Sequence, residues 1–225
     1  MDLDLYAKVE ELLGFFQERQ KLYDIYIQKL LSLGVKRVLD VGCGSGVFMQ
    51  EALKTGIEIE GVDLSSEMVK KAQNLGLKAQ CIDVCEVDKR YEAVTAVFDV
   101  VNYLTSKELK RFFRCIQDVL EPGGYFVCDI NTLFGFEEVA QGCMLVDKES
   151  ACVGVDAEFD GTVLTTSIIY FYAKDGYYHK KSGVIQQYYH DIELLKNLGL
   201  KLIDIDFVTM YGEEVDKALL TFQKE

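Results

Sequence analysis

Three glycines alternate with other residues in VLDVGCGSG, residues 38–46, directly after a short apolar run. Because glycine has no side chain, closely spaced glycines let a loop pass near a bound molecule. A phosphate loop would need a lysine after the last glycine, where Val47 stands instead, and a dinucleotide loop would space its glycines as G-x-G-x-x-G. Asp40 places a carboxylate beside the loop, so the pattern favours a ligand that carries a positive charge over one that carries a phosphate.

Two more aspartates close later apolar runs. Asp63 lies about 20 residues after the first glycine, where a carboxylate can accept hydrogen bonds from both hydroxyls of a ribose without a 2′-phosphate. Asp83 closes the next run. Any one of the three aspartates could serve only as a turn former or a helix cap. Three at successive strand ends favour a binding site for a nucleoside that carries an ammonium group.

Hydrophobic periodicity predicts the elements that position these aspartates. Between residues 4 and 33 apolar residues recur every three or four positions, which predicts two helices. Strand and helix then alternate five times, which predicts a doubly wound, mostly parallel α/β sheet that binds its ligand at the carboxyl ends of the strands. The predicted strands are 37–41, 57–64, 77–83, 93–101 and 124–131.

The pattern changes after residue 131. Residues 151–189 lack a helical period but contain two hairpin signals, FDGT and KDGY, which predict a three-stranded antiparallel insertion. A helix in DIELLKNLG and two strands near 200–208 and 217–223 complete a seven-stranded sheet. The whole chain is predicted as one domain. Its parts are two N-terminal helices at 4–33, a Rossmann-like core at 35–131 and 189–225, and the antiparallel insertion at about 142–188.

Composition narrows the partners and the compartment. The 225 residues include 24 basic and 37 acidic side chains, a net charge of −13, which disfavours nucleic acid. The best basic patch has helical spacing and is predicted as a solvated helix face; it comprises Lys107, Lys110, Arg111 and Arg114. Seven cysteines without a C-x-x-C pair predict buried thiols in a reducing compartment. No signal peptide and no membrane-length apolar run is found, so the protein is predicted to be cytoplasmic, with no membrane partner.

Five motifs in order resemble one family. VLDVGCGSG, GVDLS, CIDV, FDVVNYL and LEPGGYFVCDIN are similar to the motifs of Rossmann-like (class I) S-adenosylmethionine-dependent methyltransferases. The resemblance covers residues 35–131 closely, and the tail from residue 189 fits the family's last helix and hairpin. The chain length, the leading helices and the β-rich insertion resemble the branch that acts on small metabolites, including amines and amino sugars.

The resemblance implies a set of cofactor contacts. Asp40 would orient the amino group of S-adenosylmethionine, Asp63 would hold the ribose, and Asp83 with the amide of Val84 would read the adenine. Leu64 and Met68 would form apolar walls, while Phe98 would border the sulfonium. The full predicted cofactor set is Asp40, Gly42, Cys43, Gly44, Gly46, Asp63, Leu64, Met68, Asp83, Val84 and Phe98.

The acceptor is predicted to be a small molecule, most simply an amine, because an amine needs only its lone pair whereas a hydroxyl needs a base or a metal. The single proline, Pro122, is followed by glycine, so the Pro-containing motifs of DNA methylases are absent. The predicted acceptor-binding residues are Asn102, Tyr103, Asn131, Tyr170 and Tyr172, and the candidates for a catalytic base are His179 and Tyr103. His190 is predicted as a cap or surface residue, and with only two histidines no metal site is expected.

Two alternatives remain open at this stage. A nicotinamide-dependent oxidoreductase on a similar fold is disfavoured by the glycine spacing and by the lack of a Tyr-x-x-x-Lys pair. A protein that binds S-adenosylmethionine without catalysis is the other alternative, since family enzymes can work without a dedicated base. The oligomeric state has no signal in the sequence.

Overall fold

The computed structural model describes residues 5, 8–9, 12–14 and 16–225. The helices are α1 (Phe16–Ser32), α2 (Val47–Lys54), α3 (Ser66–Asn74), α4 (Ser106–Val119) and α5 (Ile192–Leu195). The strands are β1 (Arg37–Val41), β2 (Glu58–Val62), β3 (Ala79–Gln80), β4 (Tyr91–Ala96), β5 (Leu120–Asn131), β6 (Gly142–Lys148), β7 (Ala151–Phe159), β8 (Val163–Lys174), β9 (Tyr177–Tyr188), β10 (Lys201–Val208) and β11 (Lys217–Gln223). The first predicted helix falls mostly outside the described residues.

Seven strands form one sheet in the order β10-β11-β5-β4-β1-β2-β3. Strands β1 to β5 pair in parallel, and β11 runs antiparallel to both β5 and β10. The predicted doubly wound sheet is therefore confirmed. Three of the first five strands are shorter than predicted: β2 spans Glu58–Val62, β3 spans Ala79–Gln80, and β4 stops at Ala96, before the 3₁₀ turn at Val100–Tyr103.

Helix α4 shows how sequence signals fix the layers around this sheet. Its N-terminus is closed by a capping box, in which Thr105 and Glu108 exchange side-chain and backbone hydrogen bonds. Its apolar face packs Phe113 edge-on against Phe126 of β5 and Phe222 of β11, with ring centroids 5.5 and 5.4 Å apart. The predicted basic face of this helix is exposed.

The insertion forms a second sheet with four antiparallel strands in the order β6-β7-β8-β9. Residues 151–189 form the three predicted antiparallel strands, and β6 adds a fourth strand that lies before the stretch with the hairpin signals. Strand β9 ends against the main domain, where the Asn102 amide donates to the carbonyl of Tyr188 at 2.9 Å. The second sheet therefore meets the main domain through the end of β9.

The cysteines differ from the prediction that all are buried thiols. Cys85 and Cys115 form a disulfide, because α4 packs against the 3₁₀ turn at Val84–Glu86. Cys81 and Cys143 are exposed. Within the part of the chain that the structure describes, no helix is long and apolar enough to cross a membrane.

Candidate functional site

A cavity of about 620 Å³ opens at the carboxyl ends of β1, β2, β3 and β4. Its size suits a ligand such as a nucleoside with a side chain. Acidic groups outnumber basic groups around it, because the described lining residues include five carboxylates and two guanidinium groups. They are Asp40, Asp63, Asp83, Asp99, Glu108, Arg19 and Arg111. The cavity therefore favours a ligand that carries positive charge.

The glycine loop forms one wall of this cavity through Gly42 and Gly44. Gly44 has φ +52°, and a Cβ built on it would meet no atom within 4 Å, so its missing side chain leaves open space. Gly46 does not line the cavity. It has φ +83°, and a Cβ on it would lie 2.3 Å from Cδ1 of Leu77, so glycine is needed there for the packing of the loop on α3.

Replacement of Gly44 by alanine is expected to weaken binding of S-adenosylhomocysteine by roughly 10-fold or more, because the added methyl group enters the space beside the loop. Gly56→Ala is the matched control, since Gly56 also has a positive φ (+87°) with nothing within 4 Å but lies outside the cavity. Both variants should lose similar stability, about 1 kcal/mol. Titration calorimetry and urea unfolding separate the two effects; equal affinity in both variants would contradict the placement of the ligand.

Asp63 connects the glycine loop to the segment after β2. Its Oδ2 accepts from the amide of Gly44 at 2.8 Å, and its Oδ1 accepts from the amide of Ser65 at 2.7 Å. A carboxylate has about four acceptor positions, so these two amides do not by themselves use up its hydrogen-bonding capacity. Asp63 thus shapes the site and can bind ligand hydroxyls at the same time.

Asp40 is almost fully buried beneath the loop and accepts from Oγ1 of Thr95 at 2.8 Å. Burial raises the pKa of Asp40 to about 7, the hydrogen bond from Thr95 opposes this, and the negative charge of Asp63 adds to it. A cation in the cavity would favour the ionised form of Asp40. The carboxylate is therefore suited to respond to a bound ammonium group.

Asp83, the predicted adenine-binding residue after β3, forms an ion pair with Arg111. Asp83 accepts from the amide of Cys85 at 2.9 Å and from Arg111 at 2.8 Å. Burial raises the pKa of Asp83, but those two hydrogen bonds outweigh it, and the net pKa lies below the usual value. The other predicted residues here also line the cavity, with Val84 and Met68 buried and Leu64 exposed at its edge.

The turn after β4 has an uncommon backbone. Phe98 and Asp99 are consecutive non-glycine residues with positive φ, +63° and +57°. Such a conformation costs about 1–2 kcal/mol per residue, so the surroundings must hold it in place. The carboxylate of buried Asp129 does so, because it accepts from the amides of Phe98 (2.8 Å) and Asp99 (3.1 Å).

Lys217 pairs with two carboxylates behind this turn. The three residues Asp99, Asp129 and Lys217 form an ion cluster. The Lys217 ammonium is buried and donates to Asp99, to Asp129 at 2.9 Å and to Asn131 at 3.0 Å. The hydroxyl of Tyr26 also donates to Asp129, at 2.7 Å. Sequence reasoning missed this cluster, although a carboxylate inside the apolar run GYFVCDIN was a signal that a buried partner was needed.

The structure places only some of the predicted acceptor-binding residues at the cavity. Tyr103 lines the cavity. Asn102 and Asn131 are buried beside it and linked to each other, since the amide of Asn131 donates to Oδ1 of Asn102 at 3.0 Å. Tyr170 and Tyr172 stack on each other on β8, outside the cavity lining.

The histidines are not brought to the cavity. His179 is exposed on β9 and stacks on Tyr172. Gln187, near the end of β9, contacts the cavity-lining residue Asp99. His179 lies eight residues from Gln187 along the strand, which corresponds to roughly 25 Å. His190 is buried, with Nε2 at 2.8 Å from the carbonyl of Leu104, so the prediction of a cap or surface position was wrong.

Sequence comparison finds methyltransferases among the proteins similar to this chain. A methyltransferase-domain family model matches residues 38–124. YqeM of Bacillus subtilis, named provisionally as a methyltransferase, is 25% identical over 185 residues, 74% of each protein. The ubiquinone biosynthesis O-methyltransferase of Xanthomonas oryzae pv. oryzae is 32% identical over 118 residues, which is 47% of this chain and 48% of that protein.

Solved structures share the whole fold. An S-adenosylmethionine-dependent methyltransferase from Clostridium acetobutylicum matches with a TM-score of 0.78 at 21% identity. The match covers 99% of this chain and 97% of that protein. The sugar N-methyltransferase KedS8 from Streptoalloteichus has a TM-score of 0.73 at 19% identity and covers 100% and 94%. The amino pentose methyltransferase CalS10, solved with S-adenosylmethionine bound, has a TM-score of 0.70 at 21% identity and covers 98% and 97%.

These findings decide between the alternatives left open by the sequence. The family match spans the glycine loop and the first strands, and the structural likeness extends over both sheets. They support a methyltransferase rather than a nicotinamide-dependent oxidoreductase. The chain thus carries a methyltransferase-domain match over residues 38–124 and is similar in fold to Rossmann-like S-adenosylmethionine-dependent methyltransferases.

Proposed function

We propose that this methyltransferase transfers the methyl group of S-adenosylmethionine to an amine on a small molecule. The observation that carries the proposal is the composition of the cavity on its β4 side. The carboxylate of Asp99 lies there with Tyr103, and the rings of Tyr23 and Tyr211 also line the cavity. Carboxylates and aromatic ring faces both attract an ammonium or amino group.

The order of strands supports one orientation of the cofactor. The carboxyl ends of β3, β2 and β1 carry Asp83, Asp63 and Asp40 in that order across the sheet. In the proposed orientation these residues hold the adenine, the ribose and the amino group respectively. Arg19, which lines the same cavity, is proposed to face the carboxylate of the methionine part.

This orientation leaves the β4 side for the acceptor. Bound S-adenosylmethionine supplies an electrophilic methyl group on a positively charged sulfur. The protein has to align the acceptor with that methyl group and exclude water. Tyr23 is fixed for this, because its ring packs edge-on against Phe98 with the centroids 5.6 Å apart.

A hydroxyl acceptor is the second candidate, since the Xanthomonas relative is an O-methyltransferase. A hydroxyl usually requires a general base. Among the described lining residues there is no histidine, and His190 already contacts the carbonyl of Leu104. Tyr103, a predicted candidate base, does line the cavity, so the amine is favoured by the carboxylate and aromatic lining rather than by the lack of a base.

The test is an assay of S-adenosylhomocysteine release with matched pairs of acceptors: ethanolamine and ethylene glycol, glucosamine and glucose, benzylamine and benzyl alcohol. The proposal expects release with at least one amine and none with its hydroxyl counterpart. Release with hydroxyl compounds alone would overturn the amine assignment. Calorimetric titration with S-adenosylhomocysteine tests the cofactor site independently of any acceptor.

Cofactor affinity is expected to depend on pH through Asp40. Burial raises the pKa of Asp40 to about 7, so below neutrality this carboxyl is largely protonated in the free protein. A bound ammonium group favours the ionised form, so binding must release a proton below pH 7. Affinity for S-adenosylhomocysteine should rise toward pH 7, by up to about 10-fold per pH unit, and then level off.

Calorimetry in buffers of different ionisation enthalpy measures the proton released. Asp40→Asn should remove both the proton release and the pH dependence below 7. The same slope in Asp40→Asn as in the unmodified protein would show that another group causes it.

A further inference from the structure

We infer that Asp99 is the residue that binds the amino group of the methyl acceptor and that Lys217 positions it. This inference rests on the proposed amine function and assigns a residue to it. Nothing in the sequence motifs singled out either residue.

The position of Asp99 is set by the turn after β4, which packs against the glycine loop. A Cβ on Gly42 would lie 2.8 Å from Cγ2 of Val100, so the turn and the loop are in direct contact. Strand β4 is the neighbour of β1 on the side opposite β2. Asp99 therefore lines the cavity next to the glycine loop and on the side away from Asp63 and Asp83.

The ion cluster behind this turn has an excess of negative charge. Two carboxylates, Asp99 and Asp129, share the single ammonium group of Lys217. The side chains of Asp129 and Lys217 are 0% and 2% exposed, whereas that of Asp99 is 18% exposed. The cavity therefore reaches the cluster through Asp99, and a cationic group placed there would balance the charge.

Asp99 also keeps hydrogen-bonding capacity toward the cavity. Its Oδ1 accepts from Lys217, and its Oδ2 accepts a long hydrogen bond, 3.4 Å, from Nε2 of Gln187 on β9. Each oxygen has a further lone pair that can accept an N–H of the acceptor. Gln187 comes from the second sheet, so this sheet contacts Asp99 from behind the described cavity lining. An acceptor that binds as an ammonium group first gives one proton to Asp99 or to water, and its nitrogen lone pair then forms the new C–N bond as the S–CH3 bond breaks and S-adenosylhomocysteine leaves. A remaining N–H held by Asp99 would fix the direction of that lone pair.

Replacement of Asp99 by asparagine tests the assignment. Lys217 and Asp129 would still balance each other, so the variant is expected to fold. The prediction is that kcat/KM for the amine falls roughly 10- to 100-fold, mostly through KM, while the affinity for S-adenosylhomocysteine changes less than about 2-fold. Asp175→Asn is the matched control, because Asp175 also has a positive φ (+53°) but lies in the turn between β8 and β9, outside the cavity lining.

The assay uses the amine and hydroxyl pairs named above, with unfolding and calorimetry on the same preparations. An unchanged KM for the amine in Asp99→Asn would overturn the role of Asp99 and leave the amine proposal standing. A loss of amine transfer with an equal loss of S-adenosylhomocysteine affinity would also overturn it, because Asp99 would then act through the cofactor site. If the unmodified protein transfers to no amine of the panel, the amine proposal and the role of Asp99 fail together.

Discussion

Replacing Lys217 with methionine is expected to lower the free energy of unfolding by about 3–5 kcal/mol. The ammonium of Lys217 is buried, and it is held by Asp99 and Asp129. Burial raises the pKa of Asp129 and lowers that of Lys217, so each group depends on the other to remain charged. Removal of the lysine leaves two carboxylates side by side with no cation. The backbone turn at Phe98 and Asp99 is then held only by an Asp129 carboxylate that has lost its counterion.

Lys29 provides the matched control for this prediction. It also pairs with two carboxylates, Asp204 at 2.7 Å and Asp206 at 2.6 Å, but these carboxylates are about half exposed. Lys29→Met should therefore cost less than about 1 kcal/mol. Urea unfolding compares the two variants, and addition of Asp129→Asn to Lys217→Met should recover part of the loss. Equal losses in the two lysine variants would show that the buried cluster does not stabilise the fold in this way.

The second large effect is expected at Asp63. Asp63→Ala should weaken binding of S-adenosylhomocysteine roughly 100-fold, because the ribose loses a charged acceptor and the glycine loop loses its link to the segment after β2. The loop link is the hydrogen bond from the amide of Gly44 at 2.8 Å. Calorimetry measures the affinity, and circular dichroism establishes that the variant is folded.

Asp160→Ala separates the ligand contribution from the loss of backbone hydrogen bonds. Asp160 likewise accepts from two amides, those of Thr162 at 2.9 Å and Val163 at 2.8 Å, but it lies in the turn between β7 and β8. Its variant should bind S-adenosylhomocysteine with unchanged affinity. Affinity that is the same in Asp63→Ala and in the unmodified protein would mean that the ribose site has been misplaced.

The sequence by itself determined the cofactor side of the site. The carboxyl ends of neighbouring parallel strands meet at one edge of the sheet, so aspartates at the ends of β1, β2 and β3 have to converge. The structure brings all three to one cavity, with Gly42 and Gly44 between them. Their roles toward the ligand remain predictions. Local signals also sufficed for the helix starts, as at Ser65, whose side chain accepts from the amide of Met68.

Only the tertiary structure decided the acceptor side, because its parts are distant in sequence. Asp129 and Lys217 meet because β11 runs antiparallel to β5, which places Lys217 opposite Asn131. Nothing local in either strand specifies that register. The insertion shows the converse, because Tyr170 and Tyr172 were predicted to bind the acceptor but the docking of the second sheet leaves them outside the cavity lining. The end of β9 near Gln187 contacts the main domain, and Tyr172 and His179 lie toward the far end of the strands. Strand-by-strand periodicity specifies which elements form, while long-range pairing and burial decide which side chains share the cavity.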